Sequence, residues 1–297
     1  MKETGLFTVR DCEVEMDKND GFTIIPIGDV HWNADMHARS LFLEYMAELK
    51  DRMARGESMY FIGMGDYLET FSASERAGMD PVMHASSSAW MDTVIGREIT
   101  DLAKAMKHTA GRWLGLLEGN HTYINKHGVS VASLLSHMLG GGDRLGAQAF
   151  LSLGVNTPRG GSRMSYDIWA HHGIGAGQLA GATVNALERF ARGRQGHLFV
   201  MGHDHKIAGH PGVPVLTKTR SGYGTTLVAV TPWFVRSGSW LKGYEPGKVS
   251  YIAERALPPA PIGTCEVRVV FKRRRIPGSG EKRTRQLITM PTPRVMG

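Results

Sequence analysis

Five short stretches of this chain carry side chains that bind divalent metal ions, and each follows a brief apolar run. They are Gly28-Asp29-Val30-His31, Gly65-Asp66, Gly119-Asn120-His121, His171-His172-Gly173 and Gly202-His203-Asp204-His205. Carboxylate oxygens and imidazole nitrogens suit hard or borderline divalent ions, and the Asn120 amide oxygen can serve as a neutral ligand. Asp29 and His31, two apart on an extended segment, project the same way and can grip one ion. His203 and His205 repeat that spacing and can each serve a different ion. Asp66, with two carboxylate oxygens, suits a bridge. Two ions roughly 3.5–4 Å apart lower the pKa of a shared water and clamp a phosphoryl oxygen. His121 is then free to protonate a leaving oxygen. An isolated His-x-His pair is usually a surface feature and an isolated Gly-Asp a turn. Five such stretches in one chain reverse that balance in favour of a two-metal hydrolytic site.

The elements that must position these residues follow from hydrophobic period. A buried strand is expected over Phe22 to Ile27, a helix from about Met36 to Met53 with Phe42, Tyr45, Met46, Leu49 and Met53 on one face, and a strand over Met59 to Met64 that delivers Asp66. This is a β-loop-α-β unit, which gathers ligands beyond its strand ends. Thr70 to Ser88 reads as a long loop near the site. A helix over Trp90 to His108, with Ile95, Ile99, Leu102 and Met106 on one stripe, leads to a strand over Leu114 to Leu117. A short helix spans Val131 to Leu139, and Ala147 to Arg163 reads as turns. A strand over Tyr166 to Ala170, a helix over Gln178 to Ala191 and a strand over His197 to Met201 complete the pattern. Beyond Gly202, strands around Leu216, Thr225 to Thr231, Phe234 to Ser237 and Cys265 to Phe271 predict a β-rich second half without helices, packing a sheet of its own against the first. Trp233, Phe234 and Trp240 are expected in that sheet.

Composition bounds the partners. At 297 residues, 42% hydrophobic and 21% charged, the chain is that of an ordinary soluble globular protein. Its two cysteines, Cys12 and Cys265, form neither a disulfide framework nor a metal-type spacing, which suits a reducing cytosol. There is no signal-like apolar region at the N-terminus and no run approaching a membrane span, so a cytoplasmic protein without membrane attachment is expected. The net charge of +7 favours phosphate-rich partners. Lys272, Arg273, Arg274 and Arg275, followed after a Pro-Gly turn by Lys282, Arg283 and Arg285, read as a basic hairpin. Such a hairpin is either a charged edge that resists aggregation or a contact to the backbone of DNA or RNA.

The order of motifs, DxH, GD, GNH, HG and GHxH between Ile24 and His205, resembles the calcineurin-like metallophosphoesterase superfamily. The resemblance implies an α/β fold, a four-layer α/β/β/α sandwich of two mixed sheets flanked by helices, with a dinuclear metal site at the strand ends. It implies one domain over 1–297, with a metal-motif half at 22–205 and a β-rich half at 206–297. It further implies two divalent ions per chain, manganese first, with iron or zinc as alternatives. One ion would take Asp29, His31, Asp66 and His205; the other would take Asp66, Asn120, His172 and His203; His121 would be the catalytic histidine. The family pattern puts the ligand directly before glycine, which favours His172 over His171.

Departures from the pattern narrow the substrate. The protein phosphatases of this superfamily read GDxxDR and GNHE, whereas this chain reads Gly65-Asp66-Tyr67-Leu68-Glu69-Thr70 and Gly119-Asn120-His121-Thr122. The arginine that would clamp a dianionic monoester is replaced by Thr70, which has no forked charge. A diester needs less clamping, so the expectation is a phosphodiesterase, a nuclease in the broad sense. The alternatives are a phosphomonoesterase clamped by Arg76, Arg97 or Lys206, and a non-catalytic scaffold of the same fold.

Overall fold

The computed structural model of the chain describes all residues except 1, 4–6, 71–83, 142–143, 157–162, 176, 178, 222–223, 255 and 276–282. Its strands, in chain order, are β1 (Lys2–Glu3), β2 (Thr8–Glu15), β3 (Gly21–Ile27), β4 (Met59–Gly63), β5 (Trp113–Leu116), β6 (Gln148–Asn156), β7 (Met164–His171), β8 (Leu198–Met201), β9 (Ile207–Pro211), β10 (Val215–Ser221), β11 (Gly224–Val230), β12 (Trp233–Ser237), β13 (Gly263–Arg275) and β14 (Arg283–Val295). The helices are α1 (Arg39–Ala54), α2 (Ala85–Ala105), α3 (Val131–Met138), α4 (Ala180–Ala191) and the single turn α5 (Tyr251–Glu254).

Two mixed sheets carry the fold. A seven-stranded sheet runs β1-β2-β6-β7-β8-β12-β9, and a five-stranded sheet runs β14-β13-β3-β4-β5, with β10 and β11 paired as a separate hairpin. In β3 every residue is buried, and alternation sorts them onto two faces. Phe22 and Ile24 join an apolar cluster with Leu151, Ile168 and Val200 of the other sheet, so the two sheets share that core. Ile25 and Ile27 join Phe42, Tyr45 and Leu49 of α1 and Ile99 and Leu102 of α2 on the opposite face. Leu187 of α4 packs on Phe199 and Phe234 of the larger sheet. Residue volumes of this size bury roughly 1.5–3 kcal/mol of transfer free energy each. An ion pair ties α1 down as well: Arg52 donates to both oxygens of the buried Glu266 on β13, at 2.8 and 2.9 Å, and Tyr45 donates to the same carboxylate at 3.0 Å.

The first α/β units follow the hydrophobic period to within a few residues, and the other expectations are corrected as follows. Residues 148–156 form strand β6, paired in parallel with β2 and antiparallel to β7. Gly154 lies inside it, and neither that glycine nor Asn156 breaks it, because long-range pairing supplies the hydrogen bonds. Strand β2 was unread for a related reason: its charged residues are exposed in alternation, and only Val14 is fully buried. The segment 70–88 lies outside the described residues over 71–83, and α2 begins at Ala85. The second half builds no sheet of its own. Strands β9 and β12 complete the larger sheet while β13 and β14 complete the smaller, so Trp233 and Phe234 sit in the larger sheet. Trp240 lies against Phe42 and Tyr45, with ring centroids 5.0 and 5.2 Å apart. One short helix, α5, occurs where none was expected.

Candidate metal centre

The smaller sheet delivers three of the motifs from adjacent parallel strands. β3, β4 and β5 run side by side, and Asp29, Asp66 and Asn120 follow their carboxyl ends. β7 and β8, parallel neighbours in the other sheet, deliver His172 and the 202–205 loop. Backbone bonds lace the loops together: Asp29 N–H donates to Gly65 O at 3.0 Å, Val30 and His31 N–H donate to Asp66 O at 2.9 and 3.1 Å, and Gly202 N–H donates to His172 O at 2.8 Å. Contact is so close that a Cβ at Gly119 would fall on the Asp66 carboxylate, and one at Gly202 would lie 2.8 Å from Asp29 Oδ2.

Asp29 and His31 are not on an extended segment. Asp29 (φ 47°), His31 (46°), Asp66 (49°), His203 (71°) and His205 (57°) are all left-handed. They are five of the seven non-glycine residues with positive φ among the described residues. Each such residue costs on the order of 1–2 kcal/mol, and strain of this kind gathers where a site needs side chains aimed against backbone preference. The extended expectation failed because each strand ends at its glycine, and the chain turns sharply just as the ligand is presented.

The turns bring the expected ligands together in two groups. Asp29, His31 and His205 place one ligand atom each within 4.8 Å of one another, and so do Asp66, His172 and His203. Asn120 Oδ1 lies 2.9 Å from His172 Nε2, so it joins the second group. Asp66 is linked to the first group through its backbone oxygen and to the second through Oδ2, 3.4 Å from His172 Nε2. His171 points elsewhere, its ring against Phe190 of α4 at 5.3 Å, and burial pushes its pKa down to about 4.

The donor set fits divalent ions. Buried His31 Nε2 has no hydrogen-bond partner among the described residues, and Asp29 Oδ1 faces His205 Nε2 at 3.4 Å. His172 Nδ1 lies 2.7 Å from the Met64 carbonyl, which only accepts, so that nitrogen holds a proton and Nε2 is the atom turned toward Asp66 and Asn120. Two oxygens facing Nε2 call for a positive charge there, supplied by a proton or by a metal ion that replaces it. Burial alone would lower the His172 pKa, but the Asp66 carboxylate overrides it and raises it to about 9. Asp66 and Asp29, 2% and 0% exposed, are pushed up by burial, yet the imidazoles around them hold both below the usual carboxylate range. Burial lowers the His203 pKa, whereas Asp29 raises that of His205 against burial.

Glu69 is the residue sequence reasoning missed. Its carboxylate lies 2.9 Å from His121 Nδ1 and 2.6 Å from His31 Nδ1. Through the first contact it raises the His121 pKa to about 9; its own pKa, pushed up by burial, falls to about 2 under His121 and His31. Asn33 fixes Glu69 by two backbone bonds, accepting from Glu69 N at 2.7 Å and donating to Glu69 O at 2.9 Å. The signal was its place, the second acidic position of GDxxD. His121 N–H also donates to Asp66 Oδ1 at 2.8 Å.

The remaining candidates fall away from the ions. Lys206 Nζ donates to Gly177 O at 2.8 Å and Thr183 Oγ1 at 3.0 Å, two neutral oxygens. Asp204 lies between two ligand histidines but turns to Thr183 and to fully buried Arg236, whose guanidinium also donates to Gly202 O at 2.8 Å. Arg97 is on α2 with its side chain 69% exposed, and Arg76 lies outside the described residues. Lys272 is exposed, and Arg273, Arg274 and Arg275 continue β13 away from the metal loops. His37 is buried beside Trp32 and Phe42.

No family model matches the chain, and no curated protein matches it. Among solved structures, Vps29 of Chaetomium thermophilum is 11% identical over 92% of this chain and 98% of its own, with a TM-score of 0.31. A conserved uncharacterized protein of Streptococcus pneumoniae TIGR4, described as a predicted phosphoesterase, is 14% identical over 91% of this chain and 98% of its own, with a TM-score of 0.27. Likeness at this level says nothing of chemistry, and the site is read from its own residues. No helix among the described residues is long and apolar enough to cross a membrane.

Proposed function

We propose that this chain is a dinuclear metal-dependent phosphoesterase of the calcineurin-like type, layered α/β/β/α, and that it hydrolyses phosphodiesters of nucleic acid. The observation that carries the reading is the pair of ligand groups, Asp29-His31-His205 and Asp66-His172-His203, five of whose six residues are left-handed, in one cluster of loops. These residues would hold divalent ions, manganese before iron or zinc, which would supply an activated water and charge neutralisation at a phosphoryl group. The chain's own residues do the rest. The Met64 carbonyl fixes the His172 ring with Nε2 toward the ions. Glu69 fixes the His121 ring through Nδ1, which leaves Nε2 to deliver a proton to the departing oxygen. Asp66 holds His121 in place through its backbone N–H. No arginine among the described residues stands where the GDxxDR pattern would put a monoester clamp, and Lys206 is occupied by neutral oxygens; both favour a diester.

The test is a paired rate comparison with manganese on bis-p-nitrophenyl phosphate and p-nitrophenyl phosphate, with His121→Ala as the blank. Faster diester hydrolysis that vanishes in the variant supports the reading, and faster monoester hydrolysis overturns the diester part of it. Silence on both, with fewer than about one metal bound per chain, points to a scaffold.

A further inference from the structure

One stretch carries an excess of positive charge nearly equal to the net charge of the whole chain. Residues 272–285 hold seven Lys and Arg against Glu281, which is +6 of the net +7. β13 is paired with β3 over Val267–Val270 against Ile24–Gly21, and the last tie to the sheet is Phe271 N–H to Asp20 O at 2.8 Å. Beyond it β13 and β14 continue as a two-stranded ribbon in which Arg273 is the register partner of Arg285 and Arg275 that of Arg283. Register partners share a face, and like charges set directly opposite one another destabilise a ribbon by a few tenths to about 1 kcal/mol per pair. Edge protection needs a charge on each strand but not like charges in register, and the prolines of β14, Pro291 and Pro293, guard only the part within the sheet.

Direction matters as much as charge. β3 runs from Gly21 toward Asp29, and β13 is antiparallel to it. The ribbon therefore leaves the sheet at the end opposite the metal loops, about 25 Å away at ~3.3 Å per residue. No scissile phosphate in the metal centre touches it.

We propose that the ribbon is a remote anchor for duplex DNA, seated in the major groove and reading the backbone rather than the sequence. A two-stranded ribbon fits a groove about 12 Å wide, whereas the major groove of A-form RNA is too narrow for side chains. Arginine predominates over lysine in it, as suits forked contacts to phosphate. Single strands are recognised by stacking, and the only aromatic residue of β13 and β14 is Phe271, which is buried in the protein. The assignment deepens the phosphodiesterase reading by naming a polymer, and it is read out by binding alone, so the two fail separately.

The experiment is fluorescence anisotropy of a labelled duplex of about 20 bp, two helical turns, in EDTA across a salt series. The wild type is compared with R273Q/R275Q/R283Q/R285Q and with the charge-keeping Arg→Lys version of the same four positions. Removing four phosphate contacts is expected to make the slope of log K against log salt shallower by about 3.6, and the lysine version is expected to keep the wild-type slope. An unchanged slope in the glutamine variant, with an unchanged melting temperature, overturns the proposal. Duplex RNA bound as tightly as DNA overturns the groove assignment, and polyglutamate competing as well as duplex DNA assigns the ribbon to an acidic protein instead.

Discussion

The two ends of strand β3 present opposite solutions to the problem of a phosphate. At the Asp29 end, negative carboxylates and imidazoles are buried in strained turns, and affinity for phosphate has to come through bound cations. At the Gly21 end β13 continues into permanent cations on an extended ribbon beyond the sheet, past a single left-handed residue, Asp20. On the proposed function the first arrangement would act on one phosphorus atom at short range and demand geometry within fractions of an ångström. The second would act on many phosphates at once and demand little beyond charge. A single sheet can therefore separate capture from chemistry, and substitutions at one end should leave the other end's function intact.

Substituting the metal end should have the largest effect. Asp66→Ala removes the carboxylate from the second ligand group; its metal affinity by calorimetry should fall by more than the 10–100-fold typical of outer-shell changes. His121→Ala should keep both ions yet lose about 10²–10⁴-fold in turnover, and a loss of metal in that variant would move His121 into the ligand set. Glu69→Gln sharpens the comparison through pH. A general acid works only while protonated, so activity falls as pH rises through its pKa, which Glu69 holds at about 9 for His121. Without that carboxylate the alkaline limb should move down toward the ordinary histidine value near 6.5; a limb that stays near 9 would dissociate Glu69 from the proton transfer. Gly119→Ala should cost about 1–3 kcal/mol in a thermal melt, because its Cβ collides with Asp66. The smallest effect belongs to the other end. The four-arginine glutamine variant relieves two like-charge pairs, so it should be as stable as wild type or up to about 2 kcal/mol more so, and it should bind metal equally.

Much of the metal end was legible because it is local. Asp29, His31, Asp66, Asn120, His203 and His205 sit in short motifs whose residue types and order carry the information, and the apolar runs before them are buried strands. What escaped was set by distant parts of the chain. β6 and β2 read as turns and charge, yet each completes the other's hydrogen bonds across more than a hundred residues. Glu69 reads as an ordinary surface acid until the fold brings His121 and His31 to it. The left-handed backbone of the ligands left no trace in residue type, since aspartate and histidine tolerate that conformation without requiring it. For the ribbon, composition showed the charge, whereas only strand direction shows how far it stands from the ions.

The pairing of β13 with β3 carries a consequence for the order of events during synthesis. β3 and Asp29 emerge early from the ribosome, but the strand that lies beside β3 on one side is made of residues 263–275. Ser239 and Trp240, which donate to the Asp29 carbonyl at 3.0 Å each, are also late. A nascent chain must hold an unpaired apolar edge until the last strands arrive, and loops closed over more than 200 residues make that final step slow. The first ligand translated should be among the last to reach its working position, and ribosome-bound chains halted before residue 263 should stay protease-sensitive at β3 and bind no metal.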